Sequence, residues 1–157
     1  MTHWLTVHHP PEIGAEGDGS TSGVWVRKKD AHRFRELEVG DQVLIYETRS
    51  GPARWLDFPD GTRRRSEYQP GRMAVVAVGR VIEVTSHQPV TVARQDDGEE
   101  ISWARLAILS VEPLAHPVPR ARVNALLGLQ ATAVFRGFGG FRKVTEAQFR
   151  AIVEAGQ

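Results

Sequence analysis

The chain has 157 residues, of which 41% are hydrophobic and 25% charged, which suits one domain with a core and excludes wholesale disorder. The 20 basic and 19 acidic residues give a formal charge of +1, so a basic coat is excluded and a polyanion site must be a local patch. The absence of Cys excludes disulfides, a thiolate nucleophile and a Cys-based zinc site. No signal peptide or membrane-spanning run is visible, so we expect a cytoplasmic protein without a membrane partner.

The first part of the chain predicts strands separated by loops. Residues 4–8 form a strand that Pro10 ends, because proline cannot donate to a ladder. Residues 13–23 are typical of a Gly-rich loop, and Asp30 is expected to cap a short helix. Residues 42–46 are a short apolar run of the strand type.

Residues 50–71 are polar, and they contain Pro, Gly and the consecutive cations Arg63, Arg64 and Arg65. This composition predicts a long loop inserted in a hairpin, and loops of such length are typically functional or disordered. The segment has too few aliphatic residues for a core of its own. We therefore expect it to be mobile in the free protein and to close on a ligand.

The second part predicts a central strand, two further strands and two helices. Residues 74–84 are apolar on both faces at their start, as a central strand requires, and residues 90–93 and 100–111 continue the sheet. Val123, Leu126 and Leu127 recur at helical spacing. Residues 145–148 fit a capping box that opens a last helix. Together these elements predict one α+β domain over residues 1–157, a small barrel with helices packed around it.

The search for a catalytic or metal site finds little. No Ser lies in a nucleophile elbow, and the Gly-rich residues 137–140 lack the surrounding βα unit of a dinucleotide loop. His3, His8 and His9 cluster, but no carboxylate lies at a recognised ligand spacing from them. We therefore expect a binding module that is not an enzyme and that has neither a metal nor a cofactor.

Cations occur in three local groups, each with aromatic residues nearby. Cations for phosphates and aromatic faces for stacking are what an unpaired or extruded base requires. Each cation group is also explained by an ordinary solvated face, and Trp25 by burial in the core. The groups are Arg27, Lys28 and Lys29 after Trp25; Arg63, Arg64, Arg65 and Arg72 near Trp55 and Tyr68; and Arg142 and Lys143 beside Phe138 and Phe141.

Several short stretches together resemble the EVE domain family, a branch of the PUA-like superfamily, and more distantly the YTH domains. The resemblance covers almost the whole chain, apart from the unusually long segment 50–71. The stretches are residues 4–7, Gly23-Val24-Trp25, residues 39–46, residues 77–81, residues 111–114 and residues 141–145.

The resemblance implies a PUA-like mixed barrel that reads a modified base flipped into an aromatic pocket. Trp25 would be one wall, and the Val26 carbonyl would accept a hydrogen bond from the exocyclic amine of the base. Trp103 or Tyr46 would be the second wall. His8 or His9 would contact the base edge where YTH domains have Asn, which favours methylated or hydroxymethylated cytosine over N6-methyladenine. The cation groups would hold the flanking phosphates.

The resemblance also implies partners and leaves alternatives open. The partners would be modified DNA or RNA, and a nuclease or restriction protein on a separate chain. One alternative is a general PUA-like RNA-binding domain without selectivity for modified bases. The other is a regulatory domain that binds a small ligand or another protein.

Overall fold

The structure is a computed structural model. It describes residues 1–10, 23–27, 36–51, 54–85, 89–95, 100–133 and 141–157. These ranges contain nine strands and two helices, so the predicted α+β class is confirmed. Within them no helix is long and apolar enough to cross a bilayer. The elements are β1 (His3–His8), β2 (Gly23–Arg27), β3 (Gln42–Glu47), β4 (Arg54–Asp57), β5 (Arg63–Ser66), β6 (Ala74–Val84), β7 (Pro89–Gln95), β8 (Glu100–Pro119), α1 (Arg120–Leu126), β9 (Arg142–Val144) and α2 (Glu146–Ala155).

The described strands form one mixed sheet in the order β5-β4-β7-β8-β6-β3-β1-β9, with β2 paired to β8 outside this path. The β1–β3 pair is parallel, and β1 also pairs with β9 in the antiparallel sense. Strands β6 and β7 follow one another along the same edge of β8, since Val84 pairs with Ala107 and Pro89 with Ala104. Because Ala107 and Ala104 also pair with β2, that strand lies on the opposite edge of β8.

The long ribbon of β6, β7 and β8 is curled. Glu47 pairs with Ala74 near one end of the ribbon, and Asp57 pairs with Arg94 near the other. The chain from Glu47 to Asp57 spans at most about 35 Å, whereas an extended chain from Ala74 to Arg94 spans about 65 Å. The ribbon must therefore bend back on itself, which gives the sheet the shape of a half-barrel.

Alternating residues of the central strands bury two hydrophobic cores. In β3, Val43 and Ile45 belong to one core, and Leu44 and Tyr46 to the other. The sheet core comprises Trp4, Val24, Leu37, Val43, Ile45, Ala74, Val76, Ala77, Val81, Leu106, Ala107 and Leu109. The helix-side core comprises Leu5, Val7, Leu44, Tyr46, Val75, Val118, Val123, Leu127, Val144, Phe149 and Ile152.

Several predicted elements are confirmed. The strands at residues 4–8, 42–46 and 74–84 are present, and β6 is central because β3 and β8 flank it. The capping box of α2 is also present: the Gln148 amide donates to Thr145 Oγ1 at 3.1 Å, and the Thr145 amide donates to Gln148 Oε1 at 3.0 Å. Strand β8 is longer than predicted and continues to Pro119.

The predicted irregular loop at residues 50–71 is wrong between residues 54 and 66, where β4 and β5 form a hairpin. Its turn is closed by the Phe58 amide, which donates to the Thr62 carbonyl at 2.9 Å. The hairpin joins the main sheet because β4 pairs with β7. The helix predicted after Asp30, most of the loop at residues 13–23 and the turn at residues 96–98 lie outside the described residues.

Candidate nucleic-acid interface

Strands β2 and β8 bring two Trp-x-Arg segments side by side. Trp25 pairs with Arg105, and Arg27 pairs with Trp103. In an antiparallel ladder, directly opposite residues and alternate residues of one strand belong to the same face of the sheet. Positions 25, 27, 103 and 105 therefore form a square in which the two Trp positions lie on one diagonal and the two Arg positions on the other.

This square belongs to the face turned away from the sheet core. Val24 and its partner Ala107 are both buried in that core. A β-bulge follows, because Leu106 of β8 lies between the partners of Val24 and Trp25 and has no partner position of its own in β2. Leu106 is buried as well. Positions 25 and 105 therefore follow on the opposite face.

Apolar side chains are exposed at the end of β6. Ile82 is 54% exposed, and Val84 beside it is also exposed. Val84 pairs with Ala107, and Ala107 pairs in turn with Val24, so the Val84 position belongs to the sheet-core face and not to the face of the square.

The histidines predicted to contact the base lie at the end of β1. His8 is buried and pairs with Glu47 across the parallel ladder, whereas His9 is partly exposed. His9 Nδ1 lies 3.3 Å from Thr48 Oγ1, and that hydroxyl donates to the Ser50 carbonyl at 3.1 Å. The Thr48 hydroxyl thus links the His9 ring to the chain that follows β3.

Arg72, predicted to bind phosphate, is held in the ion pair with Glu47. Its backbone amide donates to Glu47 Oε1 at 2.9 Å, and its Nε lies 3.3 Å from the same oxygen. The Glu47 side chain is 6% exposed and that of Arg72 57% exposed. Arg72 therefore compensates a buried carboxylate, although part of its guanidinium still reaches solvent.

Tyr46, one candidate for the second pocket wall, lies in the helix-side core. Burial raises the pKa of its hydroxyl, and the nearby Arg120 guanidinium partly offsets that effect. A base could reach this ring only if the core opened.

The remaining predicted cations lie on other parts of the sheet. Arg142 and Lys143 are exposed on β9, where Lys143 forms an ion pair with Glu36 and lies 5.3 Å from the Trp4 ring. Arg63 and Arg65 are exposed on β5, and the Arg64 guanidinium lies 4.8 Å from the Phe58 ring. Lys28 and Lys29 lie outside the described residues.

Two contributors are missed by reasoning from the sequence. Arg105 had a usable signal, because Trp103-Ala104-Arg105 repeats the spacing of Trp25-Val26-Arg27 on another strand. Nothing in the sequence indicated that Glu47 is buried and paired, since a Glu at the end of a strand normally predicts a solvated side chain. Among the described side chains, no group of three His, Cys, Asp or Glu residues could hold a metal ion.

The described strands therefore form a curled mixed sheet in which two Trp-x-Arg segments are paired. The model of the EVE domain family matches residues 2–155, nearly the whole chain. The chain therefore belongs to the EVE domain family, and this membership supports nucleic-acid binding in general. The resemblance seen in the sequence is confirmed.

One solved structure supports the fold, and a second is reported beside it. The NMR structure of Rpa0253 from Rhodopseudomonas palustris is 17% identical with a TM-score of 0.54, and the match covers 99% of this chain and 93% of that one. The crystal structure of Atu2648 from Agrobacterium tumefaciens is 13% identical with a TM-score of 0.48, at the same coverage of 99% and 93%. No curated protein matches the chain.

Proposed function

We propose that this EVE domain, folded as a PUA-like barrel, binds a nucleic-acid strand and holds a flipped modified base between Trp25 and Trp103. The observation that carries the proposal is the β2–β8 register, in which the two Trp positions are diagonal neighbours. Diagonal neighbours in such a ladder lie about 7–8 Å apart. A flat base between two rings needs about 7 Å, or two van der Waals contacts of about 3.5 Å.

The energetics support an aromatic pocket. Removing a base from its stack costs a few kcal/mol, and each new base–aromatic stack returns about 1–3 kcal/mol. A methyl group on the base adds about 0.8 kcal/mol when it is buried against apolar surface. Arg27, Lys28 and Lys29 hold the flanking phosphates, which positions the strand without reading its sequence.

The hydrogen-bonding groups favour a modified cytosine. The amine of a cytosine methylated or hydroxymethylated on its ring carbon keeps two N–H donors. We take the Val26 carbonyl and a ring nitrogen of His9 as the acceptors of these two donors. N6-methyladenine keeps only one N–H on its amine, so one acceptor would stay without a partner, which costs free energy when buried. His8 is buried at the end of β1.

In this proposal the protein recognises the base and does not cut the strand. Cleavage belongs to a nuclease or restriction protein on a separate chain, and the complex acts in the cytoplasm. A fold of this kind hosts many functions, so the proposal rests on the site and on family membership.

The test compares strands with and without a central 5-methylcytosine, titrated against the wild type and the variants Trp25→Ala and Trp103→Ala. We expect each variant to lose about 1–3 kcal/mol of binding free energy and the preference for the modified strand. Tyr46→Phe is the control, because it removes only a hydroxyl from the helix-side core. Equal affinity of the wild type for both strands would favour the general RNA-binding alternative. Binding of neither DNA nor RNA would favour the small-ligand or protein-binding alternative.

A melting curve of Trp25→Ala separates a pocket wall from a core anchor. A pocket wall lends part of its surface to the ligand, so its removal should lower the melting temperature only slightly. Loss of a core anchor costs about 3–5 kcal/mol of folding stability. A variant that melts far earlier and still distinguishes the strands would exclude Trp25 as a pocket wall and leave Trp103 as the remaining candidate.

A further inference from the structure

A second surface with aromatic and cationic side chains lies on the hairpin of β4 and β5. Trp55 pairs with Arg65, and Asp57 pairs with Arg63, so these four residues share one face of the hairpin. Trp55 is 43% exposed, which is unusual for so large an apolar side chain. The Arg63 guanidinium carbon lies 5.4 Å from the centre of the Trp55 ring.

The hairpin is anchored at both ends. Near its turn, the hairpin is joined to the main sheet because Leu56 and Asp57 of β4 pair with β7. At its base, Gly51 lies so close to Tyr68 that an added Cβ would be 2.3 Å from the ring. The Gly71 amide donates to the Arg49 carbonyl at 2.8 Å. Trp55 is therefore presented on a preorganised element, which reduces the entropy lost on binding.

Protection of a sheet edge explains only part of this surface. Strand β5 is the edge of the described sheet, and charged residues on edge strands prevent pairing with other chains. This accounts for Arg63, Arg64 and Arg65. It does not account for Trp55, whose exposed ring on the adjacent strand would itself favour aggregation if it had no partner.

The arginines of this face can exchange their present partners for phosphates. The Arg63–Asp57 and Arg65–Glu67 pairs are both 3.8 Å long, and each of the four side chains is at least half exposed. Exposed pairs of this kind contribute little to stability. Arg forms stronger bidentate bonds with phosphate oxygens. The face therefore combines a stacking ring with two cations that cost little to redirect.

We propose that Trp55 stacks an unpaired base of the bound strand, outside the modified-base pocket, while Arg63 and Arg65 contact the adjacent phosphates. The ligand is a single-stranded nucleic acid segment, of DNA or RNA. The inference rests on the proposed function only in taking the ligand to be a nucleic acid. It makes the hairpin a second contact that adds affinity without adding selectivity for the modification.

The test measures fluorescence anisotropy with single strands of about 4 to 16 nucleotides, the range of site sizes of single-strand-binding folds. DNA and RNA strands are each prepared with and without a central 5-methylcytosine. For the longer strands, Trp55→Ala should weaken binding about 5- to 30-fold, the lower part of the range for one base–aromatic stack. Trp55→Phe should restore most of the affinity, because it keeps an aromatic face.

Two charge variants make the test specific to this face. Asp57→Asn removes the carboxylate that competes with phosphate for Arg63, so it should strengthen binding about threefold. Arg150→Gln is the matched control, because Arg150 is an exposed arginine of α2 that forms an ion pair with Glu146. It should leave the affinity unchanged. The DNA and RNA arms then show which strand the hairpin binds better.

The outcomes separate this inference from the proposed function. Loss of affinity in Trp55→Ala that is equal for modified and unmodified strands supports the hairpin contact. Unchanged affinity of Trp55→Ala at every strand length overturns it, even if Trp25→Ala abolishes selectivity. Absence of selectivity in the wild type overturns the modified-base pocket, but the effect of Trp55→Ala would still stand. A melting curve of Trp55→Ala close to that of the wild type verifies that the variant is folded.

Discussion

The indole Nε1 of Trp4 donates a 2.9 Å hydrogen bond to the carboxylate of Asp41, which lies on the turn before β3. The same carboxylate accepts from the Thr2 amide at 2.7 Å and from the Glu38 amide at 3.1 Å. Asp41 is only 2% exposed, yet three donors surround it. This carboxylate therefore ties the chain start, the first strand and the turn before β3 together.

Asp41→Asn should lower the free energy of unfolding by about 2–3 kcal/mol, because hydrogen bonds to a buried charge are strong and the new amide group would face N–H donors. Urea denaturation of both proteins at neutral pH measures the difference. Asp57→Asn is the control, since Asp57 is exposed and its replacement should change stability by about 0.5 kcal/mol or less. Equal stability of Asp41→Asn and the wild type would show that the carboxylate does not hold these segments.

The contribution of Asp41 should disappear in acid. Burial raises the pKa of Asp41, but the bonds from Thr2, Trp4 and Glu38 outweigh it, so the pKa lies below its ordinary value of 3.8. A depressed folded-state pKa adds stability that is complete above the unfolded-state pKa and is lost as the pH falls through the folded-state value. The difference in stability between the wild type and Asp41→Asn should therefore be complete above about pH 5 and should shrink as the pH falls from about 4 through the folded-state pKa. A constant difference across this window would contradict the assignment.

Gly71→Ala should weaken the base of the hairpin. An added Cβ would lie 1.7 Å from the Thr48 carbonyl oxygen, so the backbone would have to move. We expect a loss of more than about 2 kcal/mol of stability. Gly61→Ala is the matched control in the turn of the same hairpin, where φ is +84° and no atom lies within 4 Å. That change should cost only the strain of the left-handed conformation, about 1–2 kcal/mol. Differential scanning calorimetry ranks the two.

The sequence predicts elements that have strong local signals. The apolar runs of β3 and β6 and the capping box at Thr145 need no knowledge of distant residues. The hairpin of β4 and β5 is missed although Pro59-Asp60-Gly61 is a turn sequence, because the three arginines of β5 show no apolar alternation. The extension of β8 past Pro113 has no local signal, since prolines are normally excluded from central strands.

The candidate site could be predicted only in part. Trp25 and Trp103 each stand out as large aromatic residues near cations. Their juxtaposition depends on the pairing of β2 with β8, which are far apart in the chain. It also depends on the β-bulge at Leu106, which decides the face of the sheet on which the Trp25–Arg105 pair lies. The burial of Tyr46 is likewise a result of helix packing, because α1 and α2 cover that face of β3.

Arg72 should matter for folding more than for binding. Arg72→Ala leaves the Glu47 carboxylate with the backbone amide of residue 72 and removes the guanidinium that compensates its charge. We expect a loss of about 1–2 kcal/mol of stability and little change in affinity for nucleic acid. Arg142→Ala removes an exposed cation from β9 and should leave stability nearly unchanged. A loss of affinity without a loss of stability in Arg72→Ala would instead assign Arg72 to the phosphates.

The salt dependence of binding should reveal a small number of phosphate contacts. Because the formal charge of the chain is only +1, binding must depend on local cations. We expect the logarithm of the affinity to fall with the logarithm of the salt concentration at a slope that reflects about three to five phosphate contacts.

Changing Arg27, Lys28 and Lys29 to Ala should weaken binding equally for modified and unmodified strands, because phosphate contacts carry no information about the base. Each lost phosphate contact should reduce the slope by about one. Arg150→Gln should leave both the slope and the affinity unchanged, since Arg150 lies on α2 and forms its ion pair with Glu146. Isothermal titration at several salt concentrations measures all of these quantities together. If the triple variant lost affinity only for the modified strand, these cations would contact the base and not the backbone.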